Sequence, residues 1–266
     1  MEIFWRLVFG HLIADFTLQT NFIAKWKRKN IWGVVVHSLI HPLIYTLLLM
    51  HYLSAVWMQI GRVSLHGYTC LLIIFTLHFI EDEWRVLSVQ KKSTADNTFF
   101  YVWDQSIHYL TLFIFSPALA SVLSHFTLFY FPEIPDILHP IHLPSLDVFE
   151  MFFYIVEGNN QPWIFIGILS VIVTHFATVT IYFLEKEKLG AKFPAPLEKY
   201  LAMGERAVVF LGFLIPGKWG ILIAGIWLGK ILWGKLRQHS TLSWIHLGVG
   251  YGLSIVCGIL GRILLY

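Results

Sequence analysis

The chain has 266 residues, 57% of them hydrophobic and only 13% charged, with a mean hydropathy of +0.67. A soluble domain is about 45–50% apolar and about 25% charged, so composition excludes an ordinary soluble domain and predicts a polytopic protein whose first partner is the lipid bilayer. The net charge is only +3 and no basic patch is present, which argues against a nucleic-acid partner.

A membrane-crossing helix needs roughly 20 apolar residues. On that measure helix 1 is expected at Ile3–Ala24, followed by the basic loop Lys25–Asn30. Helix 2 is expected at Ile31–Leu53 and helix 3 at Leu65–Leu87, joined by a loop holding His51 and Arg62. A polar stretch, Gln90–Asn97, leads into an apolar run from Phe99 to Phe131 that contains Pro117 and is too long for one simple span. Pro132–Glu150 is rich in proline and acidic residues and marks a boundary between halves. Beyond it, spans are expected at Trp163–Leu184, Tyr200–Ile215, Ile221–Leu236 and Leu242–Leu265. The fold expected is therefore all-α: a transmembrane helix bundle of about eight spans, arranged 4+4. Its parts are a first half at 1–131, an outer linker at 132–160 and a second half at 161–266. Cys70 and Cys257 both fall in apolar segments and read as small packing residues.

Orientation follows from lysine and arginine, which concentrate in cytoplasmic loops. Placing Lys25–Asn30 inside also places Arg85, Lys91 and Lys92 there, and then Lys186, Lys188, Lys192, Lys199, Lys235 and Arg237. The opposite side keeps only Arg6, Arg62, Lys218 and Arg262, so both termini are expected outside.

Each of the first four expected helices carries two metal-capable residues four positions apart: His11/Asp15, His37/His41, His78/Asp82 and Asp104/His108. Residues i and i+4 share one face of a helix about one turn apart, so each pair is a two-toothed clamp. At about 1.5 Å per residue, all four pairs fall in the inner half of the membrane within roughly two to three turns of one another. An ionised Asp near the bilayer centre costs about 2.5–3.5 kcal/mol. No Lys or Arg of these helices is expected at that depth, so the three aspartates call for metal cations. Five imidazoles and three carboxylates suit two divalent transition-metal ions (Zn, Mn, Fe or Ni) better than Ca or Mg. A metal-free polar or proton-relay network is the alternative.

HLIADFTLQT at 11–20, the second-helix histidines, HFIED at 78–82 and DQSIH at 104–108 together resemble the bacterial inner-membrane family known as domain of unknown function 3307. The resemblance covers about the first 110 residues and implies a multi-pass protein of the bacterial inner (plasma) membrane. Glu81, Trp84 and Arg85 depart from the plainer helix expected there, and the second half is similar only loosely, through Gly204–Arg206 and Lys230. No activity comes with the family.

Gln19 continues the ladder His11–Asp15–Gln19 and is placed either to orient a ligand or substrate or to make a helix–helix hydrogen bond, whereas Gln105, turned about 100° from Asp104, reads as packing or interface. His175 and His246 read as packing hydrogen bonders, and His139 and His142 sit in the linker. Glu205, Arg206 and Lys230 lie near ligand depth in the second half; they read either as snorkelling side chains with a local ion pair or, in the functional reading, with Arg206 and Lys230 holding an anionic group beside the metals. The function these residues suggest is a membrane-embedded, metal-dependent hydrolase acting on a lipid or lipid-linked (phospho)ester. A metal-ion or proton transporter and a di-iron oxidative enzyme are the alternatives.

Overall fold

The structure, a computed structural model, describes residues 1–122, 162–237 and 243–266. The expected linker at 132–160, with His139 and His142, lies outside the described residues. The described part is helical apart from one hairpin.

The first expected span is broken. Helix α1 (Glu2–Leu12) passes into a single π-helical turn, Ile13–Thr17, and the chain then bends before a short helix α2 (Asn21–Lys27). The Thr20 hydroxyl caps α2 by accepting from Ile23 N at 3.3 Å, and the Asn30 side chain caps α3 (Ile31–Leu49) by accepting from Trp32 N at 2.9 Å. Both caps satisfy amide groups that the first helical turn leaves unpaired. The first half of the basic segment expected as a loop, Lys25 to Lys27, is therefore helical, and it folds back along α3.

Between α3 and the next helix, where a plain loop was expected, stands an antiparallel hairpin of β1 (Val56–Ile60) and β2 (Val63–His66). Its tight connection includes Gly61 at φ 57°, a left-handed conformation that glycine adopts at low cost. Helix α4 spans Gly67–Gln90 and α5 spans Thr98–Ile114, the latter capped by the Asn97 side chain. Helix α5 stops well short of Phe131, because the residue before Pro117 disfavours helical geometry and proline carries no amide hydrogen.

The second half holds α6 (Pro162–Val171), a π turn at Ile172–Phe176 and α7 (Ala177–Leu189) as one continuous run. Helices α8 (Pro196–Leu214) and α9 (Gly217–Arg237) follow, and a third π turn at His246–Tyr251 leads into α10 (Gly252–Leu265). The halves meet where α1 crosses α6: Trp5 and Phe165 rings lie 4.9 Å apart, and the Phe9 ring sits against Gly167. Leu7, Tyr45, Leu49, Ile74, Leu112 and Ile164 form the core beside that crossing.

Among the described residues, three helical runs are long and apolar enough to cross a membrane: Ile31–Leu49, Pro162–Leu189 and His246–Leu265. Leu43, Leu47, Leu72 and Ile80 are all more than half exposed on the outside of the bundle. Apolar side chains facing out from helices with polar residues within reverse the soluble arrangement and indicate membrane association.

The close crossing of α2 over α3 depends on Gly33. A Cβ there would overlap the backbone of Trp26 and Lys27. Gly33→Ala should therefore push α2 away and lower stability by about 1–3 kcal/mol, the usual range for an overpacked contact. Thermal unfolding in mild detergent reads the loss, and an unchanged midpoint would contradict this packing.

Candidate metal centre

All eight residues of the four sequence pairs converge on one buried cluster, one pair from each of α1 with its π turn, α3, α4 and α5. Asp15 is at its centre. Its Oδ1 lies 3.1 Å from His37 Nε2, 3.1 Å from His41 Nε2 and 4.0 Å from His78 Nε2. Its Oδ2 lies 3.5 Å from His11 Nε2 and accepts from Gln105 Nε2 at 3.0 Å. The π turn at Ile13–Thr17 carries Asp15 itself. A π turn adds a residue to the helical circuit and re-aims the side chain, and such turns often mark functional sites.

Two ligand sets with no shared member can be drawn from the cluster. Asp15, His37, His41 and His78 offer ligand atoms within 4.8 Å of one another, as do Glu81, Asp104 and His108. His78 joins the two sets: its Nδ1 lies 3.1 Å from His108 Nδ1, and its ring centroid is 3.8 Å from that of His41 and 4.2 Å from that of His108. Buried polar atoms nearly always find hydrogen-bond partners. Here Asp15 Oδ1, His41 Nε2, His78 Nε2, Glu81 Oε1, Asp104 Oδ1 and His108 Nε2 are buried without one. Asp15 Oδ1 and His41 Nε2 are close enough for an ion contact, but they are not aligned as donor and acceptor. These six are atoms of the kind a metal takes; His11 Nδ1, Ser38 Oγ, Arg85 Nε, Thr98 Oγ1 and Arg206 Nη1 are also buried without a partner.

His11 and Asp82 have other partners. His11 Nε2 lies 3.3 Å from Gln105 Oε1, so Gln105 links His11 to Asp15 and is part of the site, not the packing residue expected. Gln19 also reaches the site, with its Nε2 3.2 Å from His37 Nε2. Asp82 receives both of its bonds from Lys27 Nζ, at 2.9 and 3.0 Å, and its Oδ2 lies 3.2 Å from His37 Nε2. Arg85 stands 3.4 Å from Asp104 and 3.6 Å from Asp96.

These contacts correct the expectation that the first half supplies no cation at ligand depth. Lys27 reaches it because the chain breaks after Thr17 and α2 returns over α3. Arg85 reaches it because α4 continues inward past Asp82. Glu81 was also missed as a member of the cluster. It follows His78 by three positions, a spacing that shares the helix face just as four does.

Arg206, expected beside the metals, is 1% exposed and turned elsewhere. Its guanidinium donates to the carbonyls of Val173 and Thr174 at 2.8 and 2.9 Å and to the Thr178 hydroxyl, within or just beyond the second π turn. Tyr251 donates to Glu205 at 2.6 Å. Lys230 is exposed and stacks on Trp227, 5.0 Å from the ring centroid. None of the three lines the cavity onto which the cluster opens. That cavity, of about 450 Å³, lies between the halves and is lined by Asp15, Asp82, Asp104 and Gln105 on one side and by His175, Thr178 and Lys199 on the other. His175, expected to be a packing residue, thus reaches the cavity. His246 stands next to Tyr251, with ring centroids 6.5 Å apart.

The arrangement defines a helical, membrane-type domain built around a buried histidine–carboxylate cluster. Residues 3–133 match the family described as "Protein of unknown function (DUF3307)", so this half of the chain is a domain of that family. No curated protein and no solved structure matches the chain.

The Lys27–Asp82 pair is the contact most open to test. Removing one member of a buried pair costs about 3–5 kcal/mol, and replacing both is far milder. In chelator-treated protein, Lys27→Met should lower unfolding stability by that amount, and Lys27→Met with Asp82→Leu should recover most of it. Equal losses for the single and double variants would show that the pair does not form.

Proposed function

We propose that the chain is a membrane-embedded, metal-dependent hydrolase of a lipid or lipid-linked (phospho)ester. The observation that carries the reading is the set of unpartnered ligand atoms in two separate sets beside one cavity. Zinc–nitrogen and zinc–oxygen bonds of about 2.0–2.2 Å place neighbouring tetrahedral ligands about 3.3 Å apart. The Asp15 to His37 and His41 separations of 3.1 Å suit that value.

Charge favours two unequal sites. Four carboxylates (Asp15, Glu81, Asp82 and Asp104) face two cations, Lys27 and Arg85, which leaves −2 with neutral imidazoles. One divalent ion cancels this, and a second then calls for hydroxide or an anionic substrate to accompany it. The first ion belongs at Asp15, His37, His41 and His78. The second, weaker one belongs at Glu81, Asp104 and His108. The imidazole-rich set favours Zn, Mn, Fe or Ni. Such an ion activates water and polarises the ester oxygen. The chain's own part is to hold these ligands, to orient Asp15 through Gln105 and His11, and to keep bulk water out with the apolar bundle.

On this reading the chain sits in a bacterial inner (plasma) membrane as a bundle of about eight spans, with Lys25–Asn30 and Glu185–Lys199 on the cytosolic side and both termini outside. The Lys and Arg asymmetry supports this orientation. A metal-free proton relay is the second reading, favoured by the Lys27 and Arg85 contacts, which already neutralise Asp82 and Asp104.

Metal analysis separates the two. Protein purified without chelator should hold roughly one ion per chain, rising to roughly two on adding metal. His41→Ala and His78→Ala should each remove the first ion, and His108→Ala only the second. A wild-type chain with no stoichiometric metal would leave the relay reading standing.

A further inference from the structure

The cavity beside the cluster is lined by five cations, Lys25, Lys27, Arg28, Arg85 and Lys199, against three carboxylates. Lys27 is engaged by Asp82, and Arg85 lies between Asp96 and Asp104. Lys25, Arg28 and Lys199 have no acidic partner among the described residues. They come from segments distant in sequence: Lys25 and Arg28 from α2 and its end, Lys199 from the first turn of α8. Lys199 is held in place by stacking against the Phe193 and Tyr200 rings, 5.9 and 5.3 Å from their centroids. Arg85 adds a buried Nε donor that has no partner. Phe16, Tyr101, Val179 and Phe183 supply an apolar wall to the same cavity.

We infer that this cavity is a binding site for the phosphoryl head group of an anionic ligand, gripped by Arg28, Lys199 and Lys25 and presented to the carboxylate–histidine cluster. The inference rests on the hydrolase reading only in naming the charged part of its substrate. It moves that role from Arg206 and Lys230 to cations that line the cavity. Three unpaired cations exceed what one carboxylate balances, whereas a phosphomonoester brings close to two charges and three acceptor oxygens. The volume of about 450 Å³ lies within the ordinary range for ligand sites. The mixture of cations and aromatic wall suits a head group followed by an apolar chain. The basic residues belong to the two segments that the Lys and Arg asymmetry assigns to the cytosolic side, so the head group would enter from that leaflet.

The test is calorimetric titration of the purified full chain in uncharged detergent with three probes: short-chain phosphatidic acid, inorganic phosphate and the matching diacylglycerol. Phosphatidic acid should bind and diacylglycerol should not. Arg28→Gln with Lys199→Gln should weaken phosphatidic acid by about tenfold or more, as loss of charged hydrogen bonds implies. The double variant should keep wild-type metal content and unfolding midpoint, since Arg28 is exposed and Lys199 only half-buried. Lys25→Glu, a second variant at an exposed position, should weaken it as well. Phosphate binding as tight as the lipid, and equally sensitive to these variants, supports the anion site and assigns it to a soluble phosphoester. Binding that is unchanged in both variants, or diacylglycerol binding as tight as phosphatidic acid, overturns the inference. Anion binding without metal would sink the metal centre alone; metal without anion binding would sink this site alone.

Discussion

Carboxylates buried among apolar helices set the terms for the first half of this protein. Asp82 and Asp104 are each 2% exposed, and Asp15 is enclosed by imidazoles. Each needs compensating positive charge or hydrogen-bond donors, because an isolated carboxylate in such surroundings is far less stable than in water. Several features that otherwise look unrelated follow from that need. The chain breaks after α1, α2 returns so that Lys27 meets Asp82, α4 brings Arg85 alongside Asp104, and Gln105 bridges His11 and Asp15. What these partners leave unsatisfied is a compact group of imidazole nitrogens and carboxylate oxygens, and the metal proposal addresses that remainder.

The second half meets a similar problem by other means. Arg206 is buried, and its partners are two carbonyls and a hydroxyl at the second π turn instead of an acid. A π turn disturbs the regular ladder of helical hydrogen bonds, so its carbonyls can accept from an inserted side chain. This makes Arg206 a brace between α8 and the α6–α7 run. The contribution of the second half to the cavity comes instead from His175, Thr178 and Lys199.

Much of the cluster was legible in the sequence, because helical periodicity is strict and all four pairs used the same spacing. The convergence of His11, Asp15, His37, His41, His78, Asp82, Asp104 and His108 follows from that spacing together with their common depth. Side chains outside the pattern were hidden for identifiable reasons. Glu81 sits at the other helical spacing. Gln105 points away at its Cα, yet its amide is long enough to reach Asp15 and His11. Lys27 could be placed only by knowing that the first apolar run is interrupted. The polar run Gln19–Thr20–Asn21, with Thr20 as a capping residue, marks that break, but a span drawn by length alone runs across it, and the π turn itself leaves no compositional mark. The hairpin at Val56–His66 was hidden by its length: its strands are too short for alternation to stand out between two long apolar segments. Arg206 was legible as a buried cation, but its partners are backbone atoms, which every residue has, so nothing in the sequence pointed to them.

The central claim is that the unpartnered atoms of the cluster bind metal. X-ray absorption at the metal edge of the purified chain tests it most directly, because it reports the ligands themselves. The account predicts a shell of nitrogen and oxygen only, at about 2.0–2.2 Å, with the outer-shell scattering of at least two imidazoles. With both sites filled, a second metal should appear at about 3.5–4 Å. A shell containing sulfur, or one of oxygen alone without imidazole, would place the metal elsewhere and contradict the account.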